Sequence, residues 1–309
     1  MLLKTSLNAP LSRTTLTLAL ALSGLTTLLP AHAAGSVAAS GGVVKTAGAP
    51  ASPSAFTPEQ QAQIGQVAEA YLTAHPEKVG EVMATYLAEH PEFLVAASES
   101  LRQRQQASQQ QAMVQLAVVG QPALLDKTSP SVGPADAKAA VVMFFDYQCS
   151  YCSKMAPVVE ALVKANPDVR FVFKEFPIFA SRWPVSAFAA RTGQQVWLSK
   201  GGEAYLVYHN ALYATGHVEG QMTEQDVMTA AKPYLDAKTL AGLKQDSGKG
   251  AVHDALQTNL GVAQQMHFTG TPAFVVMPQA AKPDAQRVTV LPGATSQDGL
   301  QMAIQKARG

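Results

Sequence analysis

The chain has 309 residues, of which 47% are hydrophobic and 15% are charged. It therefore has enough apolar material for a core and too little charge for a disordered chain. Its 23 lysines and arginines nearly balance its 22 aspartates and glutamates, a balance that gives no electrostatic footprint of nucleic-acid binding. Only 2 cysteines are present, which excludes a disulfide-stapled scaffold and a four-thiolate zinc site.

The N-terminus has the pattern of a secretory signal. Lys4 and Arg13 give a positive leader, and residues 16–29 are apolar without charge, too short for a comfortable membrane span. Ala31-His32-Ala33 then matches the small-x-small pattern of a signal-peptidase site. We expect residues 1–33 to be a cleaved signal peptide, the alternative being a retained membrane anchor. The mature protein is then exported to an oxidising compartment.

A repeat follows a stretch of alanine, glycine, serine and proline, residues 34–56, that predicts a flexible linker. Residues 71–77 (YLTAHPE) recur as residues 86–92 (YLAEHPE), and each proline is expected to end one helix and start the next. Apolar side chains recur at helical spacing in both copies: Ile64, Val67, Tyr71, Leu72, Val79, Val82, Met83, Tyr86 and Leu87. The helices of residues 57–118 are too small to bury this stripe alone. They should pack on another copy of the chain or on the body of the protein.

The remainder of the chain, residues 120–309, alternates between strand and helix patterns. Residues 141–145 form a continuous apolar run, residues 151–166 are helical, and apolar side chains alternate over residues 169–173. Strand, helix and strand at this spacing predict a βαβ unit with a parallel pair. Later segments complete an α/β domain before a last amphipathic helix: helices over about 183–265, then a hairpin of strands 273–277 and 287–291.

The two cysteines form the sequence Cys149-Ser150-Tyr151-Cys152, where the first strand of the βαβ unit gives way to its helix. Unpaired N–H groups and the helix dipole at such a position stabilise negative charge. A thiolate there has a lowered pKa, is more populated as a nucleophile and is a better leaving group. We expect Cys149 to be exposed and to attack, and Cys152 to be buried and to resolve the mixed disulfide.

Three other roles compete with redox exchange for this pair. A structural disulfide across two residues closes a tiny loop and restricts the unfolded chain little. A zinc site needs two more ligands, and His75 and His90 are interpreted as solvated turn residues rather than a metal pair. Two thiolates do suit the soft ion Cu(I). A copper-handling or chaperone binding protein that uses the same thiols is therefore the alternative function.

A second signal is Gly270-Thr271-Pro272, directly before the predicted strand 273–277. Proline cannot donate to a sheet ladder and therefore belongs at a strand start. Only about 5–6% of X–Pro bonds in folded proteins are cis, so the residues alone favour a trans bond at Pro272.

Three motifs together resemble the DsbA family of exported thiol–disulfide oxidoreductases: FFDYQCSYC at residues 144–152, FVFKEFP at residues 171–177 and FTGTPAF at residues 268–274. The resemblance implies a thioredoxin-fold catalytic domain at residues 120–309, with a helical insertion at about 183–265. It thus implies an α/β fold class, preceded by an all-α oligomerisation region at residues 57–118 like that of some members.

The resemblance implies the roles of the site residues. Cys149 would be the nucleophile and Cys152 the resolving thiol. Thr271 and Pro272 would form a cis-Pro loop that faces the disulfide and pairs with substrate backbone, which reverses the expectation of a trans bond. No cofactor is needed.

The resemblance also implies a periplasmic protein that acts on misfolded or reduced exported proteins. A membrane redox partner would recycle the cysteine pair, and the protein would be a homo-oligomer. Oxidase and isomerase action both stay open, although Thr271 before the proline and the extra helices favour an isomerase.

The sequence departs from the best-known oxidase of the family at two places. Met143 replaces a buried acid, so proton transfer must use another group. Asp146, Lys174 and Glu175 are candidates, although they are equally interpreted as ordinary solvated charges at strand ends. The dipeptide Ser150-Tyr151, whose position tunes the redox potential in the family, also differs, so strong oxidising power is not implied.

Overall fold

The computed structural model describes residues 56–309, so the predicted signal peptide and nearly all of the predicted linker lie outside the described residues. The chain divides into two compact units after Lys78. None of the helices in the described part of the chain is long and apolar enough to cross a bilayer.

Three helices occupy the segment predicted to be helical: α1 (Pro58–Ala74), α2 (Pro76–Glu89) and α3 (Glu92–Val119). Thr57 caps α1 by accepting from the Gln60 N–H, and the Gln60 side chain accepts from the Thr57 N–H in return, which satisfies two N–H groups at this helix start. Pro76 opens α2 and Pro91 precedes α3, as the repeat predicts.

A five-stranded sheet has the order β1-β3-β2-β4-β5. Its strands are β1 (Ser131–Val132), β2 (Ala139–Phe145), β3 (Arg170–Glu175), β4 (Ala273–Pro278) and β5 (Thr289–Leu291). β2 and β3 are parallel, as the βαβ prediction requires, and the other neighbours are antiparallel. The predicted strands are confirmed within a few residues, while β1 has no counterpart in the prediction.

Seven further helices surround the sheet: α4 (Gln121–Leu124), α5 (Ser150–Ala165), α6 (Val185–Ala214), α7 (Glu224–Ala231), α8 (Ala237–Leu243), α9 (Ala251–Gln265) and α10 (Gln297–Arg308). Helices α6 to α9 form the predicted insertion. Helix α6 is broken at Gly201, whose φ of 78° and ψ of −170° are not helical. Ser296 caps the start of α10 by accepting from the Gly299 N–H.

The two faces of the sheet carry separate cores because successive strand residues point to opposite sides. Phe145 and Phe173 belong to a core that includes side chains of α5, α6, α7 and α10. Phe144 and Val172 belong to the other core, with side chains from the end of α3, α4 and α9. The sheet is thus covered on both faces, and the start of α5 lies beyond the carboxyl end of β2.

Candidate redox site

Cys149 is the N-cap of α5, immediately after the turn that leaves β2. The Cys149 N–H donates to the Asp146 carbonyl at 3.0 Å, and the Cys149 sulfur accepts from the Cys152 N–H at 3.4 Å. This sulfur therefore lies at the position where the free N–H groups of the first helical turn are directed.

The two sulfurs have opposite environments, although both are free thiols in this structure. A hydrogen bond with the Cys152 side chain, aided by Thr271 and by backbone N–H groups of the first turn, lowers the pKa of Cys149 to about 6 despite partial burial. Burial raises the pKa of Cys152 well above its usual value. Cys149 is only 5% exposed, so the prediction of an exposed Cys149 is wrong for the reduced protein.

The loop before β4 explains why Cys149 is covered. The Thr271–Pro272 bond is cis, as the family resemblance implies, and the Cys149 thiol donates to the Thr271 carbonyl at 3.2 Å. The Thr271 hydroxyl is buried and completes no hydrogen bond with the described residues. Its position beside the sulfurs nevertheless contributes to the lowered pKa of Cys149. Cys149, Cys152, Thr271 and Pro272 are thus together in space.

The two residues between the cysteines lie in the first turn of α5. Ser150 is partly buried, whereas the Tyr151 side chain is 58% exposed. The Lys154 ammonium lies 5.1 Å from the centre of the Tyr151 ring, within the range of a cation–π contact. Tyr151 therefore offers an aromatic surface beside the covered sulfur of Cys149.

Asp146 is fully buried at the end of β2, so its interpretation as a solvated charge is wrong. Its carboxylate accepts from the Gln148 N–H at 2.8 Å, the Phe179 N–H at 2.9 Å and the Ser186 hydroxyl at 2.7 Å. Burial raises the pKa of Asp146, and these three donors oppose that rise. The carboxylate thereby fastens the turn before Cys149 to the start of α6.

Glu175 is also buried, on the sheet face that α6 covers. Its Oε1 accepts from the Tyr147 and Tyr205 hydroxyls at 3.1 and 2.9 Å. Its Oε2 has no partner among the described residues. Burial raises the pKa of Glu175 well above its usual range, which favours a neutral carboxyl. The neighbouring His209 has no hydrogen-bond partner for its ring, and burial lowers its pKa to about 3.

Lys174 lies on the opposite face of the sheet from Glu175 and away from the sulfurs. It forms an ion pair with Asp126 and donates to the Ala123 carbonyl at 2.8 Å and to Ser129 at 2.7 Å. Burial lowers the pKa of Lys174, and Asp126 opposes that change. Lys174 is therefore neither a solvated strand-end charge nor part of the redox site; it anchors the loop that follows α4.

Sequence reasoning missed the residues that the insertion brings to the redox turn. The Tyr213 hydroxyl donates to the Asp146 carbonyl at 3.0 Å. Gln148 accepts the N–H groups of Glu219 and Gly220, at 2.9 Å on its carbonyl and 2.7 Å on its side chain. Gln148 directly precedes Cys149 in the sequence, and this adjacency was the one signal that could have identified Gln148 as part of the site. Tyr213 lies 64 positions beyond Cys149 in the numbering, and no local pattern connects the two.

Within residues 56–309, no group of three or more histidines, cysteines, aspartates and glutamates could hold a metal ion. Met266 is buried in the core, whereas the adjacent His267 is exposed. His75 and His90 each contact a glutamate two residues later, at 3.1 and 3.2 Å.

Comparison with known proteins finds a family model and several solved structures to which this chain is similar. A family model described as Thioredoxin matches residues 125–288. The crystal structure of BcfH from Salmonella enterica Typhimurium is 69% identical with a TM-score of 0.72, and the match covers 79% of this chain and 100% of that one. No curated protein matches the sequence.

Two further solved structures are similar over the catalytic region. The catalytic domain of Proteus mirabilis ScsC is 26% identical with a TM-score of 0.50, covering 63% of this chain and 98% of its own. The thiol–disulfide exchange protein α-DsbA2 from Wolbachia pipientis is 16% identical with a TM-score of 0.54, covering 64% of this chain and 97% of its own. The second likeness concerns the fold alone.

Proposed function

We propose that this chain, which belongs to the thioredoxin family and within it to the DsbA-like and ScsC-like thiol–disulfide oxidoreductases, exchanges disulfides with exported proteins in the periplasm. Cys149 is the nucleophile and Cys152 is the resolving thiol. The observation that carries this proposal is the placement of the two sulfurs: Cys149 is the N-cap of α5 and its sulfur accepts the Cys152 N–H beside the cis Thr271–Pro272 bond, whereas Cys152 is fully buried. The predicted signal peptide supports the periplasmic location.

In the oxidising direction, a substrate thiolate attacks the Cys149 sulfur of the Cys149–Cys152 disulfide. The S–S bond breaks, its electron pair leaves on Cys152, and Cys152 takes up a proton because its pKa is raised. A second substrate thiolate then attacks the substrate sulfur of the mixed disulfide. Cys149 leaves as a thiolate, and two electrons have passed from the substrate to the cysteine pair.

In the isomerising direction, the reduced protein starts the reaction. The Cys149 thiolate attacks an incorrect substrate disulfide, forms a mixed disulfide and releases one substrate thiolate. Another substrate thiolate later attacks the substrate sulfur of that mixed disulfide and displaces Cys149, so the substrate disulfide has moved without net electron transfer. A membrane redox partner that keeps Cys149 and Cys152 in the required state belongs to this proposal.

The Thr271–Pro272 loop supports substrate binding beside Cys149. Because the Thr271 carbonyl already contacts the Cys149 sulfur at 3.2 Å, an extended substrate segment that pairs with this loop would bring its own sulfur close to Cys149. The cover over the sulfur must then open or be replaced by substrate.

The test is an equilibrium redox titration of the pair against glutathione, combined with refolding of a scrambled multi-disulfide protein. We expect a single two-electron transition and exchange activity that Cys149→Ser abolishes. Cys152→Ser should instead accumulate mixed disulfides, because the resolving thiol is lost. Tight Cu(I) binding without exchange activity would contradict the proposal and favour the copper-handling alternative.

We further propose that the helices before the catalytic region make the protein an oligomer and favour isomerase action. Of the 19 large hydrophobic side chains that are exposed within residues 56–309, 13 lie between Phe56 and Leu101. Leaving this surface in water costs about 25 cal/mol for each Å² of apolar area. Copies of the chain can bury it against one another about a closed symmetry axis.

An assembly of this kind places several cysteine pairs around one misfolded client and can keep bulky oxidases away from them. Removal of residues 1–105, which keeps the packed end of α3 including the Gln110 contact with β5 at 2.9 Å, should give a monomer with the same redox potential and reduced isomerase activity. Light scattering and the refolding assay measure the two effects. If the full chain is itself a monomer, this part of the proposal fails while thiol–disulfide exchange stands.

A further inference from the structure

The Asp146 carbonyl has two donors, and they come from different parts of the fold. One is the Cys149 N–H at 3.0 Å, within the redox turn. The other is the Tyr213 hydroxyl at 3.0 Å, near the end of α6. Both lone pairs of this carbonyl are therefore engaged. The N–H of the same residue lies beside the Cys152 sulfur and opposes the rise of its pKa.

Tyr213 is buried, and its ring is packed between other rings. The residue is 6% exposed, and its ring packs against the rings of Tyr147 and His209, with centroid distances of 5.3 and 5.0 Å. A tyrosine has few rotatable bonds, so packing on this scale fixes the hydroxyl at little further cost in entropy. Buried polar groups without a partner are unfavourable, which favours the bonded position.

The position of Cys149 depends on this contact because the carbonyl that Tyr213 holds is also the acceptor of the Cys149 N–H. The Cys149 sulfur accepts the Cys152 N–H at 3.4 Å, so a displacement of the Cys149 backbone moves its sulfur relative to the first turn of α5. The Asp146 side chain is held by three other donors, so the peptide unit that accepts the Cys149 N–H is the part of the turn that Tyr213 controls.

We propose that Tyr213 is a positioning residue for the redox pair: by holding the Asp146 carbonyl, it fixes the Cys149 amide and keeps the Cys149 sulfur against the first turn of α5. Through this hydroxyl, the helical insertion thereby stabilises the Cys149 thiolate without contacting the Cys149 sulfur. The inference rests on the proposed function only for its consequence in catalysis, since thiolate stability is a property of the protein alone.

The test compares Tyr213→Phe with Tyr208→Phe, which removes an equally buried α6 hydroxyl whose partner is the Ala189 carbonyl at 2.8 Å. Thiolate absorbance against pH gives the pKa of Cys149, and equilibration with glutathione gives the redox equilibrium. For Tyr213→Phe we expect the pKa of Cys149 to rise by about half a unit, a roughly threefold change in the thiolate equilibrium. The glutathione equilibrium should shift by a similar factor toward the disulfide, because the reduced form is less stabilised.

Tyr208→Phe should lose comparable thermal stability and leave both redox readouts unchanged. Equal redox readouts in the two variants would overturn the proposal. Amide hydrogen exchange in the unmodified protein gives a test that needs no variant: the Cys149 amide should be strongly protected, and exchange as fast as in an exposed loop would also overturn it. None of these measurements uses a substrate, so absence of exchange activity would reject the proposed function and leave this inference standing.

Discussion

Cys149 and Cys152 lie in the same turn at the start of α5, but the groups around their sulfurs differ. Hydrogen bonds to the Cys149 sulfur favour its thiolate, whereas burial of Cys152 favours its thiol. Because exchange requires a thiolate to attack and a thiolate to leave, we expect Cys149 to meet the substrate and Cys152 to react only within the protein.

The first prediction concerns alkylation of the reduced protein. Cys149 should react with iodoacetamide in proportion to its thiolate, so its rate should rise through a midpoint near 6 as the pH increases. Cys152 should stay unmodified over the same pH range, because burial raises its pKa and covers its sulfur. Peptide mapping by mass spectrometry distinguishes the two sites. In the denatured control both should titrate near the free-thiol value of about 8.5, and a native midpoint at that value would contradict the assignment.

The second prediction uses the buried acid of β3. The pKa of Glu175 is raised in the folded protein, so its contribution to stability is fully present below the unfolded pKa and is lost as the pH rises through the folded pKa. Glu175→Gln removes this dependence on pH. The glutamine side chain has nearly the same size, and its amide oxygen can accept from both the Tyr147 and the Tyr205 hydroxyl. The variant should therefore gain stability relative to the unmodified protein as the pH rises above about 4.5, by up to about 1.4 kcal/mol for each pH unit.

Denaturant unfolding at several pH values measures this gain. Glu203→Gln serves as the control, since Glu203 is exposed on α6, and an equal gain in that variant would show that burial of Glu175 is not the cause. A flat difference for Glu175→Gln would show that Glu175 is ionised in the folded protein.

At the scale of elements, α6 approaches β3 so closely that one position admits no side chain. A Cβ added at Gly193 would lie 2.6 Å from Glu175 Oε1 and 3.1 Å from the Tyr208 ring. The close approach lets the Tyr205 hydroxyl reach Glu175 and packs the insertion on the carboxyl end of the sheet. Helix α6 therefore has a small residue where it faces the Glu175 side chain.

The third prediction follows from this approach. Gly193→Ala should destabilise the protein by about 1–3 kcal/mol, because the added methyl group forces buried neighbours to move. Gly242→Ala, in α8 where nothing lies within 4 Å of the added Cβ, should be neutral or stabilise by about 0.5–1 kcal/mol through helix propensity. Thermal unfolding of the two variants measures the contrast, and equal effects would contradict the packing argument.

The sequence predicted most elements because their signals are local. The apolar run of β2, the alternation in β3 and the prolines of the repeat each specify a strand or a helix within a few residues. The burial of Asp146 and Glu175 was not predictable, because their partners Ser186, Tyr205 and Tyr213 come from the insertion. Lys174 likewise needed Asp126, 48 positions earlier. The local sequence around a charged residue at a strand end therefore does not reveal whether a distant segment buries it.

At the scale of the whole molecule, the repeat region and the catalytic region have contrasting surfaces. No residue of α1 or α2 is buried, whereas β2, β3 and β4 are buried throughout. Apolar side chains that remain exposed in such numbers indicate a surface that contacts other protein chains, which agrees with the proposed oligomer.

The fourth prediction tests that surface in the full chain. Val67 and Val82 are 70% and 69% exposed within the apolar stripe. Val67→Glu combined with Val82→Glu should dissociate the assembly, because a charge cannot be buried in the contact without a partner. Light scattering should show a monomer, and the glutathione equilibrium should not change. The matched control, Gln66→Glu combined with Ala84→Glu, adds the same charge beside the stripe and should leave the assembly intact; dissociation of both variants would contradict a contact through the stripe.

The break at Gly201 has a geometric consequence for the redox turn. Ser186 and Tyr213 lie 27 residues apart in α6 and both bond to Asp146. A continuous helix would separate them by roughly 40 Å at 1.5 Å per residue, so only a chain that doubles back can bring both to one aspartate. The reversal depends on a backbone conformation, φ 78° and ψ −170°, that is essentially restricted to glycine. The insertion thus holds Asp146 with both halves of α6, which Gly201 joins. A residue other than glycine at position 201 would strain the connection on which both contacts with Asp146 depend.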